Sequence, residues 1–167
     1  MKKTVNAFTI LEVTITMLIA GLLIGLTYTS FTIVSKSYRA FKDKNDRMSV
    51  LVSLDHVLAR DFDRADIIIK APDGISIKNS NQVIKYIFNT DYVTRISTKT
   101  DTFKVQPVEM KTAFENMPLT EVQASDEQNR LDEVAFTVVF LDQKIPYHYH
   151  KQYSSDNLIK RNPDAGN

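Results

Sequence analysis

Residues 8–35 read FTILEVTITMLIAGLLIGLTYTSFTIVS, and this stretch decides the fold. From Val13 to Val34 no residue carries a charge, and the uncharged run ends only after Ser35. Those 22 positions reach the length of about 20 residues that a helix needs to cross the hydrocarbon core of a bilayer. A secretory signal core is shorter, about 7–15 residues, and precedes a small-residue cleavage site. Here the run leads into Ser35-Lys36-Ser37-Tyr38-Arg39, so the segment is expected to be retained, as a single membrane-spanning helix or else as a long buried one. Its polar members Thr14, Thr16, Thr27, Thr29, Ser30 and Thr32 can return their hydroxyl protons to carbonyls of the preceding turn. Gly21 and Gly25 form a small-xxx-small pair that admits a second helix at close range. Glycine is also simply commoner in membrane helices, and the pair alone leaves both readings open.

Glu12 interrupts the apolar run Phe8-Thr9-Ile10-Leu11-Glu12-Val13. Read alone, it either marks the membrane interface, with the span beginning at Val13, or is a carboxylate held in lipid for a function.

The composition narrows the alternatives. The 167 residues are 43% hydrophobic and 25% charged, a globular rather than disordered balance. Lys+Arg 21 against Asp+Glu 20 lacks the basic excess of a nucleic-acid binder, and none is expected as a partner. With no cysteine, a disulfide framework, thiol catalysis and Cys-ligated metal sites are excluded.

Beyond the span the pattern stays helical. Leu51, Leu54, Leu58, Phe62 and Ala65 recur at steps of three and four, widened by Val50 and Val57, while Asp55, Arg60, Asp63 and Arg64 take the other face. Ser37 to Met48 is mostly charged and reads as an exposed helical neck. One helix from about Thr9 to about Ala65 is the economical account. The period then changes to two. Ile67–Lys70 and Ile75–Lys78 flank a Pro72-Asp73-Gly74 turn, and strands follow at Gln82–Asn89, Val93–Ser97, Thr102–Val108, Val134–Leu141 and Ile145–Tyr149. Strands so closely connected must be mostly antiparallel. Ala113–Glu133 is expected to be a loop or short helix, and Ser154–Asn167 a frayed tail. The fold class is therefore α+β: a long N-terminal helix packed, through its second half, on a mostly antiparallel sheet.

The flanks of the span carry a resemblance. Lys2-Lys3, then Ala7, then Phe8-Thr9-Ile10-Leu11-Glu12-Val13 and a long apolar helix resemble the leader and N-terminal helix of the type IV pilin and pseudopilin family. The resemblance implies a leader of residues 1–7, cut by a prepilin peptidase between Ala7 and Phe8, with Phe8 methylated at its new amine. Glu12 becomes the fifth residue of the mature chain and pairs with the N-terminus of a neighbouring subunit. Residues 8–35 then form the transmembrane and filament-core helix, and 36–167 the soluble domain. Two features depart from the family pattern: Ala7 stands where glycine is usual, and the span lacks the proline of major pilins. The second points to a minor subunit. The layout of Leu58-Ala59-Arg60-Asp61-Phe62, Ile84-Lys85-Tyr86-Ile87-Phe88, Tyr92-Val93-Thr94-Arg95 and Val134–Phe140 looks like a J-type minor pseudopilin of type II secretion. A minor pilin of a type IV pilus, or a single-pass anchored binding module, is the alternative. The implied partners are the prepilin peptidase, other minor and major pseudopilins or pilins, the inner-membrane assembly platform and the membrane itself. The soluble domain would lie outside the inner membrane, in the periplasm. Lys36, Arg39, Lys42, Lys44 and Arg47 outnumber Lys2-Lys3, which by the positive-inside rule favours the opposite topology; a processed leader is the stronger signal.

Other constellations carry less. His148 and His150 face one side of their strand without a third ligand nearby in sequence, and His56 sits mid-helix. Asp126-Glu127 and Asp132-Glu133 are acidic but lack the order of a calcium loop. Two of the four glycines lie in the span, so no phosphate loop forms. No triad spacing occurs, and neither catalysis nor a cofactor is expected.

Overall fold

The computed structural model describes residues 9–80, 82–141 and 143–154. The chain divides into two units, one up to Asp46 and one from Arg47 onward. A single helix, α1 (Ile10–Asp63), runs through both. In the first unit it is the only element among the described residues, and nearly every side chain is exposed.

In the second unit the last turns of α1 meet two antiparallel sheets. The first is β1 (Ile67–Ala71), β2 (Gly74–Asn79), β3 (Gln82–Phe88), β4 (Val93–Ile96) and β5 (Thr100–Phe103), a meander in that order. The second holds β6 (Gln106–Phe114), β7 (Met117–Pro118), β8 (Glu133–Phe140) and β9 (Gln143–His150), in the order β7-β6-β8-β9. The helical stripe read from the sequence is the core stripe: Leu51, Leu54, Leu58, Phe62 and Ala65 are all buried. They pack in one cluster with Ile68, Ile75, Ile77, Ile84, Tyr86 and Val93 of the first sheet and Val134, Phe136, Val138 and Tyr149 of the second.

The single expected sheet is thus two. The expected strand Thr102–Val108 is broken, because the Val105 N–H bonds Phe103 O at 3.0 Å, a three-residue turn that buries Val105 and carries the chain to the other sheet. The segment expected to be irregular from Ala113 also begins with a hairpin. Glu115 and Asn116 both have positive φ, 51° and 64°, as a two-residue turn with strand-matching twist requires. Farther on, Asn129–Leu131 runs beside β1: the Lys70 N–H donates to Asn129 O at 2.7 Å and the Leu131 N–H to Ile68 O at 2.9 Å. The Tyr153 hydroxyl accepts from the Ile68 N–H and donates to Leu131 O, closing this seam.

Asp55, expected on the solvent face of α1, is half-buried and accepts a 2.6 Å hydrogen bond from the Tyr149 hydroxyl. Burial foremost, then the Asp55 carboxylate, pushes the ionisation of Tyr149 far above the tyrosine range. Burial and then Asp61 do the same for Tyr86, and burial lifts Tyr153 to about 12. Unfolded tyrosines ionise near pH 10, so above that pH the unfolded chain holds fewer protons than the folded one. Stability must then fall as pH rises. Tyr86 and Tyr149 each contribute up to about 1.4 kcal/mol per pH unit in that window. Urea unfolding of the full chain in detergent should show a midpoint that is lower near pH 11 than near pH 8; equal midpoints would contradict this protonation pattern.

Candidate functional site

The site expected from the sequence is the first unit's helix. It begins at Thr9, whose hydroxyl accepts the Glu12 N–H at 3.3 Å while its carbonyl accepts the Glu12 and Val13 N–H groups at 3.1 and 3.3 Å. Thr9-Ile10-Leu11-Glu12 has the spacing of a capping box, a local reason for a Glu at this position besides any charge pairing between subunits. Glu12 also lies in the first turn, where a carboxylate opposes the positive end of the helix dipole.

Along the uncharged run from Val13 to Val34 every threonine hydroxyl is returned to the helix. Thr14 donates to Leu11 O at 2.8 Å, Thr16 to Val13 O at 2.9 Å and Thr27 to Leu23 O at 2.8 Å. Thr29 donates to Gly25 O and Thr32 to Tyr28 O, each at 2.9 Å. These are the bonds a threonine must make to enter hydrocarbon without an unsatisfied group. None of the most apolar window of the helix is buried within this chain, and the helix is long and apolar enough to cross a membrane. Around Gly21 and Gly25 no atom beyond the helix's own adjoining backbone and the neighbouring residues lies within 4 Å of where a Cβ would stand, so a neighbour's backbone has room to approach. Ala7 and Phe8, the expected cleavage and methylation positions, lie outside the described residues.

The remaining expected sites disperse. His148 and His150 both lie exposed on β9, and His148 Nε2 meets Glu133 Oε1 at 2.8 Å. His56 is exposed on α1. Asp126 pairs with Lys78 at 2.6 Å and Glu127 with Arg130 at 3.7 Å. No cluster of three or more metal-ligating side chains occurs among the described residues. A cleft of about 470 Å³ between the β1–β2 turn, the end of β3 and the start of β6 holds Lys70. Its ammonium is engaged by Thr112 Oγ1 at 3.1 Å and Leu119 O at 2.6 Å.

One polar group of the second unit went unseen in the sequence. Asp61 is 5% exposed and accepts 2.7 Å hydrogen bonds from the Tyr86 hydroxyl and Arg95 Nε. Arg95 Nη1 continues to Ser97 Oγ at 2.9 Å and Asp101 Oδ2 at 3.3 Å. Burial works against the Arg95 charge, but the Asp61 carboxylate prevails and holds the guanidinium above its ordinary range. The signal was available: Asp61 is three residues past Leu58, on the buried stripe. The network ties the end of α1 to β3 and β4.

No protein-family model, characterised protein or solved structure matches this chain.

Proposed function

We propose that this chain is a minor pseudopilin, a non-enzymatic structural subunit of a type II secretion pseudopilus that sits at or near the filament tip. A prepilin peptidase removes residues 1–7 at the inner membrane and methylates Phe8. The assembly platform then draws the subunit from the bilayer into a filament with other minor and major subunits, leaving residues 36–167 on the periplasmic side. One observation carries the reading: α1 begins with an uncharged run whose threonine hydroxyls are satisfied within the helix and whose most apolar window is unburied among the described residues, with a carboxylate, Glu12, in its first turn. A helix bound first for lipid and then for a bundle of like helices needs both properties.

The chemistry of Glu12 follows from dielectric. Cutting before Phe8 creates an ammonium at the end of an apolar helix. An axial offset between neighbours brings that charge to Glu12, and two opposite charges in a low-dielectric core are tolerable only as a pair. Glu12→Gln should insert and lose its leader normally, because an amide is less costly in lipid, yet its co-purification with partner subunits should drop several-fold. A tip subunit has no neighbour above it, so the equivalent substitution in the major subunit is the control. Unimpaired assembly of both variants would remove the pairing mechanism.

A further inference from the structure

Where the uncharged run of α1 ends, the charges are sorted along the helix axis. Ser35 to Lys42 holds three cations, Lys36, Arg39 and Lys42, and no acid, whereas Asp43 to Arg47 holds two of each sign. The three cations follow one another at i,i+3 steps and so lie within about a third of the helix circumference. All are exposed, and none forms an ion pair among the described residues. Their depth is set by what precedes them. The 22 uncharged positions from Val13 to Val34 make about 33 Å of helix, against a hydrocarbon core of about 30 Å. In a bilayer Lys36 to Lys42 would take up the next roughly 9 Å, the layer of the phospholipid headgroups. Tyr38 falls in the same layer, where amphipathic rings are favoured. A groove of about 260 Å³ leads into it, lined by Tyr28, Phe31, Thr32, Ser35, Lys36 and Arg39. Its core-side wall is aromatic, with Tyr28 and Phe31 73% and 70% exposed. Its other end carries two cations and the Ser35 hydroxyl.

We propose that this groove binds an anionic phospholipid, with its phosphate between Lys36 and Arg39 and an acyl chain along Tyr28 and Phe31. Arg39 can grip two phosphate oxygens in a fork while Lys36 supplies a compact charge, and the aliphatic stems of both reach back over apolar surface. A zwitterionic lipid brings its own ammonium to the same cations and gains less. A soluble phosphate leaves the aromatic wall uncovered and meets both cations in water, where they attract it weakly. The site gives the basic flank a use in either membrane orientation, including the one that the positive-inside count disfavours. It rests on the reading that α1 crosses a bilayer, and not on leader processing or filament assembly.

The test places the full chain in nanodiscs holding equal amounts of phosphatidylglycerol and phosphatidylcholine with matched acyl chains. Native mass spectrometry of the released protein then counts the lipids that stay bound. Phosphatidylglycerol should be retained over phosphatidylcholine by about tenfold or more, the scale of two cations acting on one anionic headgroup. K36Q together with R39Q should bring the two lipids near parity. K44Q together with R47Q removes the same charge from the balanced stretch and should leave the ratio unchanged. All four side chains are exposed, so the thermal melt of each double variant should match the parent and exclude misfolding as the cause. Excess glycerol phosphate, which offers the phosphate without the chain, should not displace the lipid. Equal retention of both lipids by the parent, an equal loss of preference in the two double variants, or displacement by glycerol phosphate would each overturn the site. A chain that fails to enter nanodiscs overturns the spanning reading and the site with it, whereas one that enters and shows no preference overturns the site alone.

Discussion

Replacing Asp61 with Ala should cost the second unit about 3–5 kcal/mol, a fall in melting temperature of more than about 10 °C. The substitution leaves Arg95, its side chain only 10% exposed, without the carboxylate that offsets its burial. It also strips the buried Tyr86 hydroxyl of its acceptor. Ser97 and Asp101 still hold Arg95 Nη1, but the Nε proton is orphaned. Near-ultraviolet circular dichroism of the full chain in detergent follows the melt through its tyrosines. Replacing all three groups together, as Asp61→Leu with Tyr86→Phe and Arg95→Met, should recover most of the loss, since an apolar substitute for a buried ion pair is often neutral. A single Asp61→Ala variant that melts with the parent would mean the network is not a structural tie.

Gly74→Ala should be of similar severity for a different reason. A Cβ at Gly74 would stand 2.0 Å from Tyr86 O and 3.0 Å from Phe88 Cδ2, and φ is +155°, a conformation that side chains rarely adopt. The clash is with backbone, so relief requires β2 to leave β3. Between those strands pair Ile75 with Tyr86 and Ile77 with Ile84, all buried, and any shift of Tyr86 is felt at Asp61. A loss of about 3 kcal/mol or more is expected. Gly21→Ala is the matched control: it meets open space, and alanine is the better helix former by about 1 kcal/mol. If Gly74→Ala melts with Gly21→Ala, the tight β2–β3 approach is not a constraint.

Much of this architecture was legible in the sequence, where the pattern is set by local periodicity. The 3–4 stripe ending at Phe62 and the period-two runs around Ile68, Ile77, Ile84 and Tyr86 declared helix and strands because one face of each must be buried. What periodicity does not encode is which sheet a strand joins. That choice turns on the bond from the Val105 N–H to Phe103 O; Pro107, inside the expected strand Thr102–Val108, is the one local signal against a continuous strand, and it does not say which sheet follows. The Glu115-Asn116 hairpin carries no such signal, since its positive φ angles are taken up by residues other than glycine. Asp61 escaped because a carboxylate on an apolar stripe passes for a helix-end residue until Tyr86 and Arg95 are brought to it from distant strands. For the apolar N-terminal half of α1 the position of Glu12 was visible because it stands at the edge of an uncharged run. Its capping spacing with Thr9 is equally legible there.

If Glu12 answers a processed N-terminus at Phe8, the intact mass of the protein isolated from its native source records the processing. The expected chain lacks residues 1–7 and is heavier by one methyl group on Phe8, and the full-length precursor should persist when Ala7 is replaced by a bulky residue. Recovery of a native protein that keeps its first seven residues, with an unmodified amino terminus, would overturn the proposal.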